Sequence, residues 1–324
     1  NTSICSIEYQ SNPGYSNDDL LKAEMMNGIN NNSVRNNIGN NSGTDTESQL
    51  DIQMMGINLP TIDIWFWDSS EWLYSLAVDM VNSKEVPDIV SMSWGWAEDQ
   101  QCTISSCNDT TSKEYVNMVN AEYIKLGLRG VSITAASGDA GSPGRTNEGC
   151  GNDRNINAIF PGSSPWVTSV GATYIISDNV CKINNNFNNY INWNTPLCKE
   201  NQCASGNKEY VTNFNDTGWT SGGGVSRYTN TSNWQSKAVK HYINSNVSLP
   251  NNTYIHGRFY PDVSTVGHNC PVVDSGYLTP VDGTSCSSPI FASIIAILNQ
   301  HQINNNKSKL GFINPLLYKM YESD

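Results

Sequence analysis

Histidine is scarce in this chain, with only His241, His256, His268 and His301 among 324 residues. None stands in a His-Gly-Thr setting, so the usual imidazole partner of a serine nucleophile is not marked. Cations are also few. Thirty acidic residues against 18 basic ones give a net charge of −12, which argues against nucleic acid or an anionic membrane as partner. The same imbalance suits an acidic compartment, where protonation relieves self-repulsion, although solubility alone explains it equally well. Long apolar runs are missing too: residues 290–298, interrupted by Ser293, are too short to cross a bilayer and predict a buried helix. The start Asn1-Thr2-Ser3-Ile4-Cys5 lacks the basic and apolar regions of a signal peptide, so such a segment is expected to have been removed with whatever preceded Asn1. No Cys-x-x-Cys or Cys/His zinc spacing occurs, and no repeat of solenoid period is present.

Nine cysteines are there, some close together, as Cys102 with Cys107 and Cys198 with Cys203. They read as disulfides. The odd count leaves one thiol free or paired outside this segment, and Cys286, next to Ser285 at a predicted helix start, is the candidate. Asn-x-Ser/Thr triplets stand at Asn1, Asn31, Asn40, Asn108, Asn215, Asn230, Asn246, Asn251 and Asn306. With the cysteines, they point to a secretory or lysosomal route.

A hydrophobic content of 38% over this length fits one α/β domain spanning residues 1–324. From Asp51 onward, strand-like runs at 61–67, 88–94 and 130–136 alternate with helix-like runs at 70–82 and 112–126. The alternation predicts a mostly parallel sheet with helices on both faces and functional groups at the carboxyl ends of its strands. A further strand is expected at 166–175. Residues 177–252, rich in Asn, Ser and Gly, read as long loops, and the Asn-rich stretch 27–41 as a flexible surface connection.

Three segments could carry chemistry. A helix is expected to start near Thr44, placing Glu47 and Asp51 ~40° apart around its axis and ~6 Å apart along it, hence on one face. Paired carboxylates relay protons, but Thr44-x-x-Glu47 is also a capping box. Asp139, in Ser137-Gly138-Asp139-Ala140-Gly141 after a strand, is either a site carboxylate or a turn aspartate bonded to its own backbone. Ser285 follows Gly283-Thr284 and opens a helix whose free amides face developing negative charge, or it merely caps that helix. The sheet pattern brings all three toward one cleft, which favours the chemical reading.

Motifs in sequence order then carry a resemblance. Thr46 through Gln53, Ser93-Trp94-Gly95, Ala136 through Gly141, Phe160 through Pro165 with Val170-Gly171-Ala172-Thr173, Ser221 through Ser226, Tyr260-Pro261-Asp262-Val263, Gly283 through Pro289 and Leu310 through Pro315 follow the order seen in sedolisins. The chain resembles this serine-carboxyl peptidase family over roughly residues 47–321. The resemblance implies a subtilisin-like fold with Ser285 as nucleophile, Glu47 as general base, Asp51 orienting Glu47, and Asp139 in the oxyanion hole. A base with an ordinary pKa near ~4.3 then predicts hydrolysis near pH ~4, with Asp139 protonated and donating.

The resemblance further implies that Ser93, Trp94, Gly95, Ser137 and Gly138 hold a peptide as an added strand. It implies tripeptidyl-peptidase-like release of amino-terminal tripeptides, maturation from a prosegment, and residence in a lysosome, an acidic vesicle or the extracellular space. Trp96 departs from the animal tripeptidyl-peptidase pattern, which has an aspartate there, and so raises endopeptidase action as the alternative. Asp282 and Cys286 stand where small residues are usual, leaving a catalytically silent glycoprotein as a further alternative. Calcium is implied as cofactor, bound by a carboxyl-terminal segment expected beyond Asp324, where a partner for Cys150 is also expected.

Overall fold

The architecture follows from strands that are apolar on both faces. A computed structural model describes residues 1–29, 34–59, 62–107, 109–146, 156–177, 207–250 and 253–323. In the strand Ser3–Glu8, Ile4 packs with Ile52, Ile64 and Phe66, while Cys5 and Ile7 pack on the other side with Trp65, Val90 and Met92. A strand buried this way needs helices over both faces. It pairs in parallel with Asp63–Asp68 and Ile89–Met92. The sheet runs Val263–Val266, Thr168–Ser177, Ser132–Ala136, Ile89–Met92, Ser3–Glu8, Asp63–Asp68, Asn36–Ile38, and every pairing on that path is parallel. Asn207–Val211 joins Thr168–Ser177 antiparallel.

Helices Leu73–Asn82 and Ser112–Leu128 cover one face through Leu76, Met80, Val119 and Leu126. Asn17–Met26, Thr46–Gly56 and Thr284–Asn304 cover the other through Leu20, Ile52, Met55, Phe291 and Ile295. The start of the last helix sits over the middle of the sheet, where the Ser288 hydroxyl lies 2.9 Å from that of Ser91 and 3.1 Å from that of Thr134. The expected mostly parallel α/β sheet with helices on both faces is what is found.

Several local expectations are corrected. Asp45, not Thr44, caps the Thr46–Gly56 helix, its carboxylate accepting the Ser48 amide at 3.0 Å. Glu47 therefore closes no box with Thr44; a capping box does occur at Thr111 and Glu114. The supposed loops of 177–252 contain, among the described residues, the strands Asn207–Val211 and Gly224–Asn230 and the helix Ser236–Asn244. That helix buries only Val239, too little to stand out among polar residues. Asn36–Ile38 is an edge strand rather than flexible connection. The helix over 290–298 is buried on one face only, with Ile294 and Ile297 exposed at 42% and 50%.

Cys102 and Cys107 form a disulfide. The free-thiol assignment is overturned: Cys286 is bonded to Cys270, and Cys5, buried in the central strand, is the free cysteine among the described residues. Cys150, Cys198 and Cys203 lie outside the described residues, as do Asn31, Asn108 and Asn251. Asn1, Asn40, Asn215, Asn230, Asn246 and Asn306 are exposed. Among the described residues no helix is long and apolar enough to cross a membrane.

Candidate active site

Carboxyl ends of adjacent parallel strands build the site, as the topology requires. Glu8 ends its strand, Ser93 follows Ile89–Met92, and Asp139 follows Ser132–Ala136. The amino ends of the Thr46–Gly56 and Thr284–Asn304 helices close over them, bringing Glu47, Asp51 and Ser285. Glu47, Ser93, Trp94, Gly95, Gly138, Asp139 and Ser285 line one cavity of about 280 Å³, together with Arg145. A larger, more apolar groove of about 990 Å³ shares Gly141 with it but contains none of Glu47, Asp139 or Ser285, so chemistry rather than size marks the site.

Ser285 is 8% exposed at the first turn of its helix, where its amide is one of those helix geometry leaves free. Gly283 precedes it at φ 150°, ψ 157°, a conformation essentially confined to glycine. A Cβ there would lie 3.5 Å from Asp139 Oδ2. Pro289, four residues on, has no N–H to offer the Ser285 carbonyl. The Ser93 hydroxyl approaches that carbonyl at 3.3 Å instead.

Glu47 and Asp139 share the cavity with the serine, and Asp51 and Glu8 are coupled to Glu47. Burial pushes Glu47 from 4.5 up to about 7, opposed first by hydrogen bonding to the Ser285 hydroxyl and reinforced by the negative charge of Asp139. Its Oε1 is buried without a hydrogen-bond partner. Asp51 is fully buried and accepts from Ser93 Oγ at 2.8 Å and Ser6 Oγ at 3.4 Å. Burial, then Glu8, then Glu47 hold it well above the usual carboxylate range. Glu8, also fully buried, accepts from Ser6 Oγ at 2.7 Å and from Gln10 Nε2 and Trp94 Nε1 at 3.1 Å; burial and the Glu47 charge push it from 4.5 to about 8. Carboxylates this close cannot all ionise, so the cluster gives up its protons in steps that belong to the group.

Asp139 is exposed to the cleft as a residue, yet its Oδ1 is anchored, accepting from the Thr284 amide at 2.7 Å and the Thr284 hydroxyl at 2.8 Å. Loss of water around the carboxyl raises it above 3.8, while both Thr284 bonds and Arg145 oppose the rise. A bound peptide that displaced further water from the cleft would enlarge that rise. Thr284 Oγ1 accepts from the Gly138 amide at 3.0 Å, so the Asp139 turn and the serine turn are tied together.

Ser93, Trp94 and Gly95 line the cavity, and the Ser93 and Trp94 side chains donate to Asp51 and Glu8. Ser137 does not line the cavity: it is fully buried and donates to the Gly222 carbonyl at 2.8 Å. Gly138 lines it with both backbone groups engaged, the amide by Thr284 and the carbonyl by the Gly222 amide. Gly222 fits there because a Cβ would meet Ser137 O at 2.3 Å. The sequence reading missed Glu8 and Arg145. Glu8 extends the Ile4, Ser6 alternation onto the catalytic face, a legible signal. Arg145, its guanidinium 4.8 Å from the Trp96 ring centroid, is placed by tertiary structure alone.

Among the described residues no group of three or more His, Cys, Asp or Glu could hold a metal ion, so none of them is assigned to the implied calcium. No catalytic step here is routed through it.

Scanned against protein-family models, the chain matches none. Among known proteins, physarolisin of Physarum polycephalum is 41% identical over 330 residues, covering 100% of this chain and 56% of that protein. Tripeptidyl-peptidase 1 of Homo sapiens is 28% identical over 291 residues, 85% of this chain and 43% of that protein. The chain thus spans about half the length of the curated relatives it matches. Pseudomonas sedolisin, a serine-carboxyl proteinase solved with two molecules of pseudo-iodotyrostatin, superposes with a TM-score of 0.71 at 21% identity, over 99% of this chain and 80% of that one. At that identity the superposition shows the fold, and it agrees with a sequence similarity that runs through this entire chain: the chain belongs to the sedolisin family of serine-carboxyl peptidases.

Proposed function

We propose that residues 1–324 form a catalytic domain that hydrolyses peptide bonds through an acyl-enzyme on Ser285. The observation that carries this is the meeting of Ser285, Glu47 and Asp139 in one cavity whose lining includes no histidine. Ionised Glu47 takes the Ser285 proton as Oγ attacks the substrate carbonyl carbon. The resulting oxyanion accepts hydrogen bonds from the Ser285 amide and from protonated Asp139. Glu47 returns the proton to the leaving amine as the C–N bond breaks, and water reverses the sequence to release the acid. Asp51, hydrogen-bonded through Ser93 and electrostatically coupled to Glu47, tunes that base. The peptide lies along Ser93–Gly95, because Gly138 has no free backbone group to offer. Disulfides and exposed Asn-x-Ser/Thr sites support an acidic vesicle or the exterior as the working place. Maturation from a prosegment, and calcium bound outside the described residues, are part of the same proposal.

Two conditions set the pH optimum: Glu47 must be ionised and Asp139 protonated. With Glu47 near 7 and Asp139 raised above 3.8, the fraction satisfying both is greatest between the two values, on the acid side of neutrality and above the ~4 expected of an ordinary glutamate. The profile of kcat/KM against pH checks this. Asp139→Asn, which donates without titrating, is expected to extend activity toward neutrality, and Asp139→Ala to cost ~10²–10³-fold. An Asp139→Asn profile superimposable on the wild type would place the alkaline limb on another group.

Endopeptidase action is favoured over tripeptide release by the pair Arg145 and Trp96. Where the animal tripeptidyl-peptidase pattern has an aspartate, this chain has Trp96, and the Arg145 guanidinium 4.8 Å from its ring centroid lines the cavity, so an incoming ammonium meets like charge. Acetylating the amino terminus of a peptide is expected to change kcat/KM by less than ~3-fold; loss of cleavage on acetylation, with tripeptides released in succession from the free peptide, would restore the exopeptidase reading. The silent-relative alternative draws less support from Asp282 and Cys286, although the Asp282 charge still helps to raise Asp139. Asp282 lies 2.9 Å from His268 Nδ1 and accepts the Asn269 amide at 2.7 Å, Cys286 is held in its disulfide, and neither lines the cavity.

A further inference from the structure

The β-ribbon that feeds into Ser285 is fastened at both ends to catalytic helices. Cys270–Asp274 and Tyr277–Val281 pair antiparallel, with Cys270 opposite Val281. Below that rung, Asp282 Oδ1 holds the Asn269 amide and the Gly283 amide donates to Gly267 O at 2.9 Å. The ribbon thus reaches to within two residues of Ser285. The Cys270–Cys286 disulfide crosses from its first strand to the residue after the nucleophile. Both cysteines are buried with Leu50, Met54 and Val272 in a small core of their own.

Its other half is seated on the helix of the base. Gln53 is 1% exposed and projects from the opposite side of the Thr46–Gly56 helix to Asp51. Its Nε2 donates to Val273 O at 2.7 Å and its Oε1 accepts the Val273 amide at 2.8 Å, completing that backbone as a neighbouring strand would. Thr46, next to Glu47, donates to Asp274 Oδ2 at 2.9 Å. The tip is held by Asp19, which accepts the Ser275 and Gly276 amides at 3.0 and 2.8 Å. A ribbon covalently bound to one helix and joined by buried hydrogen bonds to the other cannot shift without moving both, because the lost bonds would leave buried groups unpaired.

We propose that this ribbon is a clamp that sets Glu47 against Ser285, with Cys270, Cys286 and Gln53 as its positioning residues. The proposal rests on the reading of Glu47 as base and Ser285 as nucleophile, and it assigns a use to the cysteine that otherwise looks out of place beside the serine. Displacements of about an ångström between reacting groups cost ~10²-fold, so the clamp need hold only small distances.

The test compares wild type, Cys270→Ala/Cys286→Ala and Gln53→Leu in the intact chain, by peptide hydrolysis and by amide hydrogen exchange. Each variant is expected to lose ~10-fold or more in kcat with KM within ~2-fold. The combined variant should lose less than the product of the separate losses, since both act on one ribbon. Exchange should rise across residues 46–53 in the cysteine pair variant, although its substitutions lie on other elements. A folded cysteine pair variant with kcat within twofold of wild type and exchange unchanged at 46–53 overturns the clamp. Should that variant not fold, Gln53→Leu is judged by the same kcat criterion and by exchange at 284–288. Were the wild type itself inert on peptides, the peptidase reading would fall, and exchange alone would decide: a rise at 46–53 supports the clamp, and a rise confined to 270–286 overturns it.

Discussion

Ser285→Ala is expected to lower kcat by ~10⁴-fold or more while KM stays within a few-fold, since a hydroxyl that only attacks contributes little to ground-state binding. Peptide aldehydes, which form a hemiacetal with a reactive serine, should attach to the wild type and not to the variant. Glu47→Gln keeps the size of the side chain but cannot accept the proton, and a loss of similar order follows. The double variant should be scarcely worse than either single one, because nucleophile and base act as a unit and their losses do not add. Geometry sharpens this expectation. Burial and the neighbouring charges hold Glu47 near 7, a stronger base than free glutamate, and Ser285 shares its cavity. Full activity in Ser285→Ala would remove the serine from the chemistry and the acyl-enzyme with it.

Some of this was legible in the chain and some was not, for physical reasons that differ by residue. The four-residue spacing of Glu47 and Asp51 and the turn before Ser285 are local, and local geometry translates directly into one helix face and one helix start. The cap of the Thr46–Gly56 helix was misplaced because Thr44 and Asp45 are both good caps, and only the path of the chain chooses between them. Glu8 was readable from the alternation of Ile4, Ser6 and Glu8, which sends a carboxyl to the face where Asp51 waits. Arg145 and the partner of Cys286 were not readable, since sequence near either residue carries nothing about a contact made across the fold. The strands and helix within 207–244 escaped notice because each buries too few apolar side chains to impose a period.

Stability is expected to fall as pH rises from about 4.5 to 8, the reverse of a chain whose carboxylates are salt-bridged. In the folded state burial first, then mutual repulsion, holds Glu47 near 7 and Glu8 near 8, both from 4.5, with Asp51 also raised. The folded protein therefore keeps protons that the unfolded chain releases. Below the unfolded values both states are protonated and the contribution is present in full; it drains away as pH passes through the folded values. Each proton so held costs about 1.4 kcal/mol per pH unit, and the cluster together amounts to several kcal/mol across this window. Exposed Glu114 and Asp216, whose pKa values are lowered by hydrogen bonds, act in the opposite sense, but solvent screens them. Denaturant midpoints measured at intervals between pH 4 and 8 check the slope, and a flat or rising series would contradict it. Glu8→Gln separates the cluster from the general self-repulsion of a chain with net charge −12. It removes one titrating proton while its amide oxygen, placed where Glu8 Oε2 lies, can still accept from Trp94 and Gln10 and its NH2 can donate to Ser6 Oγ, so its slope should be shallower by about one proton between pH 5 and 8. Retention of the wild-type slope in Glu8→Gln would assign the pH dependence to surface charge instead.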